Sequence, residues 1–188
     1  MRERLKLEMV EARDSGLVHE AMFAELAPNG AISEYVDQLG DTFGTVVDLA
    51  FKATECDVEN LEGFVSLFGS ESPVIRYWAS QGVLLLGEKG AVAKPELVEL
   101  LKDESSAVRI GVARALFGLG EEDVASSALI AEISKKADQY AHLYAINTIN
   151  ECGLRDRISD EWIKGALKIK GNKSYVKRMA AELKKERE

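Results

Sequence analysis

Glu71-Ser72-Pro73-Val74-Ile75-Arg76 and Glu104-Ser105-Ser106-Ala107-Val108-Arg109 are two copies of one phrase set 33 residues apart, and the same step reaches Ala137-Asp138-Gln139-Tyr140-Ala141-His142 without a gap. At that register six columns stay small or apolar: Ile75/Val108/Ala141, Trp78/Gly111/Tyr144, Ala79/Val112/Ala145, Gly82/Ala115/Thr148, Val83/Leu116/Ile149 and Leu86/Leu119/Cys152. Their spacing of i, i+3, i+4, i+7, i+8, i+11 draws one stripe along a helix of about 3.6 residues per turn, where a strand would need a period of about 2.

The helix ends repeat as well. Ser72/Ser105/Asp138 form a column of residues able to cap free backbone N–H groups, and Pro73 follows at the first-turn position that tolerates a missing N–H. Gly87/Gly120/Gly153 form the stopping column, suited to the left-handed backbone that ends a helix. A shorter stripe precedes each helix: Phe64/Leu97/Ile130, Val65/Val98/Ala131, Leu67/Leu100/Ile133 and Phe68/Leu101/Ser134. Each unit is therefore a helical hairpin. The register decays upstream through Val46, Leu49, Ala50 and Ala53, and downstream through Ile163, Ala166, Leu167, Val176, Met179, Ala180 and Leu183. Decaying end units are expected of a solenoid, where they cover the stack.

The reading is an all-α superhelix of about four hairpins over residues 31–188, preceded by a helical segment over residues 1–30 with helices at roughly 2–13 and 18–27. Asn29-Gly30 and Gly171-Asn172 read as helix punctuation. No pair of alternating segments is joined by a tight turn, so strands find no place.

Composition bounds the function. The 188 residues hold 24 Lys+Arg against 32 Asp+Glu, a net charge of −8, which disfavours nonspecific attachment to nucleic acid or anionic membrane. A solenoid that works on DNA would need a dense basic face, and the repeats have none. The hydrophobic fraction of 46% argues against disorder. No apolar run is long enough to span a bilayer, and Met1-Arg2-Glu3-Arg4-Leu5-Lys6 is too charged for a secretory signal, so the chain reads as soluble. Cys56 and Cys152 are too few for a disulfide framework or a zinc cage, and both are expected to be packing residues. Charge is polarised: residues 1–60 carry 5 basic and 13 acidic side chains, residues 162–188 carry 9 and 3. The basic end is either a solvated helix face or a docking end for an acidic partner.

Val74-Ile75-Arg76-Tyr77-Trp78-Ala79-Ser80-Gln81-Gly82-Val83-Leu84 and Val108-Arg109-Ile110-Gly111-Val112-Ala113-Arg114-Ala115-Leu116 resemble HEAT-type repeats, whose second helix commonly opens on Val-Arg and carries an Ala-rich face; the resemblance runs over residues 41–188. Arg13-Asp14-Ser15-Gly16-Leu17-Val18-His19-Glu20-Ala21-Met22, with the Arg-Tyr-Trp-Ala wording of the first clear repeat, resembles the C-terminal tail of bacterial arylsulfatases. That resemblance implies a sulfatase catalytic domain as partner, with a homo-oligomer as a further arrangement. It also implies a periplasmic or secreted location if the chain belongs to an exported enzyme, and a cytoplasmic one if the chain is complete. The sulfatase nucleophile motif Cys/Ser-x-Pro-x-Arg is absent around Cys56, Cys152 and all three prolines.

No catalytic, cofactor-binding or metal-ligating set is readable. His19 and His142 are 123 residues apart, and no Gly-rich phosphate loop of the GxGxxG or GxxxxGK(S/T) kind occurs. The column Arg76/Arg109/His142 reads as a structural ladder meeting acids such as Glu71, Asp103, Glu104 or Asp138, with a phosphate or sulfate clamp as the functional alternative. Trp78 and Tyr144 read as space fillers between layers. The candidate site is a protein-binding face beside the core stripe: Tyr77, Gln81, Leu84, Ile110, Arg114, Phe117, Leu143, Asn147 and Asn150. Exposed, it would form an apolar patch that suits a protein or peptide; the other reading is that the N-terminal helices of the same chain cover it. The functional expectation is a non-catalytic interaction module docked on a sulfatase core, or a stand-alone adaptor.

Overall fold

The structure, a computed structural model, describes residues 1–170 and 174–188; Gly171-Asn172 lie outside the described residues. Among the described residues every regular element is helical. The α-helices are α1 (Arg2–Glu11), α2 (Phe23–Leu26), α3 (Ile32–Gln38), α4 (Thr42–Ala53), α5 (Leu61–Ser66), α6 (Pro73–Leu86), α7 (Lys94–Leu100), α8 (Ser106–Gly118), α9 (Glu122–Ser134), α10 (Gln139–Glu151), α11 (Asp160–Ala166) and α12 (Tyr175–Arg187), joined by short 3-10 turns. The fold is an all-α superhelix of stacked hairpins.

Four hairpins pack as pairs among the described residues: α5/α6, α7/α8, α9/α10 and α11/α12. The second helices α4, α6, α8, α10 and α12 stack in order and form the spine. Packing explains why the columns of small and apolar residues were needed. Ala79, Val83, Val108, Val112, Ala115, Leu116 and Ala145 are fully buried between neighbouring layers. Burying a side chain the size of Val or Leu contributes about 1.5–3 kcal/mol, so each repeat is stable only when the next one covers it. Gly82 shows how tight the contact is: a Cβ there would lie 2.7 Å from the ring of buried Phe64 on α5. Gly120, with φ +87°, ends α8 in the left-handed conformation that the stopping column anticipated.

Two expectations need correction. The first unit is not a hairpin of α3 and α4; α1 lies against α4, and α3 packs on α2 and the Ser15–Leu17 turn. The reason is electrostatic as much as apolar, because α1 buries no residue completely. Lys6 instead pairs with Asp48 of α4 at 3.0 Å, and the Arg2 guanidinium lies 5.1 Å above the Phe51 ring. The capping column is also only partly realised. Asp138 caps α10 by accepting from the Tyr140 N–H at 2.8 Å, but the Ser72 and Ser105 hydroxyls are buried and cap nothing. Ser105 is positioned through its own backbone, whose N–H donates to Asp103 at 2.8 Å.

The core runs along the stack in two clusters, one from Val18 to Ala141 and one from Ile110 to Leu183. Val18, Ala21 and Met22 belong to the first, so the N-terminal segment is folded onto the repeats. Cys152 is half-buried, but Cys56 is exposed: it lies in the turn beyond the end of α4 at φ 52° and contributes no packing. No helix among the described residues is long and apolar enough to cross a membrane.

Candidate functional site

The nine residues of the expected binding face do not form one open surface. Ile110 is 0% exposed and belongs to the core with Ala113, Leu129 and Ile133; Tyr77 and Gln81 are 9% and 7% exposed. Leu84, Arg114, Phe117 and Leu143 are half-buried, and Asn147 and Asn150 are exposed. Arg114 pairs with Glu151 at 3.0 Å, and Asn150 accepts from Arg155 at 3.0 Å. What remains at the surface is a mixed strip, half-buried at Leu84 of α6, Arg114 and Phe117 of α8 and Leu143 of α10, and open at Asn147 and Asn150.

Part of the cover comes from the chain itself. The Glu20–Met22 turn packs on α8 and α10, bringing His19 against Tyr77 at 5.2 Å and Tyr144 at 4.0 Å between ring centroids. His19 Nδ1 accepts the Ala21 N–H at 3.1 Å, and burial lowers the imidazole from 6.5 to about 4. At neutral pH His19 is therefore an uncharged ring packed at a tilt against the two tyrosines, and not the helix-end ion pair expected of it. Trp78 donates its indole N–H to the Leu17 carbonyl at 2.8 Å, a second fastening across 61 residues of sequence. Arg13 closes the segment by donating to the Gly40 carbonyl while lying over the Phe43 ring.

The cation column is a ladder between repeats. Arg76 grips Asp103 with Nε to Oδ2 at 2.6 Å and Nη2 to Oδ1 at 2.9 Å, and Arg109 grips Glu132 the same way at 2.7 and 2.8 Å. Each guanidinium also donates to two turn carbonyls, Ser70 and Glu71 for Arg76, Asp103 and Glu104 for Arg109. Asp103 was among the expected partners; Glu71 and Glu104 offer only backbone oxygens, and Glu132 was not foreseen. His142 keeps the place of the third rung, with Nε2 2.9 Å from the Lys135 carbonyl. Burial would raise the Glu132 carboxyl, but hydrogen bonds from Arg109 and Lys135 outweigh it and hold the group below its ordinary value. Guanidiniums already bonded to a carboxylate and two turn carbonyls each offer little to an incoming phosphate or sulfate.

The cluster of titratable rings formed by His19 with Tyr77 and Tyr144 is held in packing. Burial pushes the Tyr77 and Tyr144 phenols and the Cys152 thiol up, which keeps all three protonated near neutrality. Among the described residues no three His, Cys, Asp or Glu side chains converge as metal ligands. The basic C-terminal end is partly structural: Arg187 pairs with Asp160 at 2.6 Å and donates to the Ile158 carbonyl at 2.8 Å, while Arg155 pairs with Glu186.

No curated protein matches the chain. The family model described as HEAT repeats matches residues 61–150, a narrower span than the 41–188 expected from sequence and one that runs from α5 into α10. That stretch of the chain is a HEAT-like repeat domain.

Proposed function

We propose that the chain is a non-catalytic protein-interaction module that docks on a sulfatase catalytic core. The observation that carries the reading is the stack itself: hairpins buried by one another and by the N-terminal segment, with His19, Tyr77, Tyr144 and Cys152 wholly or partly buried in that packing. Such an array presents extended surface and little enclosed volume, which suits macromolecular contact better than turnover. The mixed strip of Leu84, Arg114, Phe117, Leu143, Asn147 and Asn150 is the surface offered to that core. The test is light scattering on the purified chain mixed with a catalytic core that carries the Cys/Ser-x-Pro-x-Arg motif. A one-to-one complex lost in Arg114→Glu supports the reading, and two non-interacting peaks sink it. Turnover of an aryl sulfate by the chain alone, abolished by a single replacement, would also overturn it.

A stand-alone adaptor is the second reading. It is favoured by the burial of Val18, Ala21 and Met22, which spends on the solenoid the segment that would otherwise face a catalytic domain.

A further inference from the structure

The layer of first helices opens into a groove. α5 and α7 are only six and seven residues long, while the helices behind them, α6 and α8, run to 14 and 13 residues and carry the stacking. Two cavities of 530 and 450 Å3 lie along α5 and α7 and share Val65 and Glu96 as common wall. The floor is apolar, built of Val58, Val65, Phe68 and Val92, and Val92 is 76% exposed with nothing over it. The banks are acidic: Glu59 and Glu62 on one side, Glu96 and Glu99 on the other. Among the described residues only Glu99 of these four has an ion pair, with the exposed Lys102 at 2.6 Å.

We propose that this groove binds a cationic amphipathic helix of a partner protein. The proposal deepens the interaction-module reading and rests on it. An amphipathic helix lays an apolar stripe into a groove and leaves its flanks at the rim, so the flanks facing Glu59, Glu62 and Glu96 must be Lys or Arg. An anionic membrane or a nucleic acid is repelled by the same rim. A second copy of this chain fits less well. Its basic end, α12, keeps Val176, Met179, Ala180 and Leu183 buried in its own core, so it brings charge but no apolar stripe to insert.

The test uses the full chain and fluorescence anisotropy with three labelled peptides: a Leu/Lys helix with Leu at i, i+3, i+4 and i+7, its Leu/Glu counterpart, and a scrambled Leu/Lys peptide. The expected result is saturable binding of the first alone, weakened about tenfold or more by Glu62→Lys/Glu96→Lys and by Val92→Glu. All the substituted positions are exposed, and an unchanged urea melt shows that the variants fold. Equal binding of the scrambled or Leu/Glu peptide, or full affinity in either variant, overturns the proposal. So does concentration-dependent dimerisation abolished by the charge reversal, which would assign the groove to a second copy. A complex with a catalytic core that is lost in Arg114→Glu and kept in Glu62→Lys/Glu96→Lys leaves the module reading standing whatever the peptides do.

Discussion

Replacing Arg109 by Met takes one partner from the rung that ties α8 to α9. Glu132 keeps a side chain 5% exposed, and its two oxygens lose Arg109 donors at 2.7 and 2.8 Å. Breaking a buried pair on one side costs about 3–5 kcal/mol, because the surviving charge stays out of water. Lys135 still reaches Glu132 at 2.6 Å, but it is half exposed and screened, which brings the expected loss to about 2–4 kcal/mol. With a urea slope of about 2 kcal/mol/M, the midpoint should fall by about 1–2 M. Trp78 and Trp162 stand against different core clusters, so their fluorescence separates loss of one half of the stack from loss of the whole. Replacing the pair together, Arg109→Met with Glu132→Leu, should recover most of the loss, since apolar groups of similar volume remove the stranded charge. The pH response of the single variant should also invert. In the parent, the depressed Glu132 carboxyl contributes stability that is present above the unfolded carboxylate range and fades as pH falls through its folded value. Without Arg109, burial dominates and acid should relieve the strain. A single variant with the parent's midpoint, or a double variant no more stable than the single, would refute the ladder as a stabilising element.

Further expectations follow from individual contacts. His19 is neutral in the fold with a value of about 4 against 6.5 unfolded, so its contribution is complete above about pH 6.5 and shrinks as pH falls towards about 4, by at most about 3 kcal/mol. His19→Phe should flatten that part of the profile of urea midpoints, and equal slopes in the two proteins would contradict the assignment. Gly120→Val forces a β-branched residue to φ +87° and should cost on the order of 1 kcal/mol or more; a melt matching the parent would mean that α8 does not end there. Gly82→Ala drives a Cβ to 2.7 Å from the Phe64 ring and should cost about 1–3 kcal/mol, visible as a lowered thermal midpoint, whereas a neutral result would show that α5 and α6 are not in close contact.

The hairpins, their direction along the chain and the core stripe were legible because they are local and periodic, whereas Ile110, Tyr77 and Gln81 beside the stripe read as surface and are buried. A stripe at i, i+3, i+4, i+7 can be satisfied only on a helix, and the same stripe 33 residues on can be buried only by a neighbour of the same shape. Val83, Leu116 and Ile149 are buried as that pattern required, and Gly87, Gly120 and Gly153 all adopt positive φ. Single rungs and caps were less legible. The Ser72 and Ser105 hydroxyls stand where caps were expected, yet the turns are held by Arg76 and Arg109 reaching back to carbonyls, which no column pattern encodes.

The parts that escaped sequence reasoning join residues far apart in the chain, with no repeat to bring them together on paper. His19 meets Tyr77 and Tyr144, α1 covers α4, and Glu132 finds Arg109. The groove was hidden for a related reason. Val58-Glu59 and Glu62 on one hairpin, with Val92 and Glu96 on the next, read singly as ordinary surface, and the acids face one another only once α5 and α7 are held apart by the longer helices behind them. Sequence alone determined the repeating helical unit and its ends, because backbone conformation and the burial period are set by neighbours along the chain. Only the tertiary structure decided which face is covered, which charges pair and where surface stays open, because those depend on distances between layers that no local pattern contains.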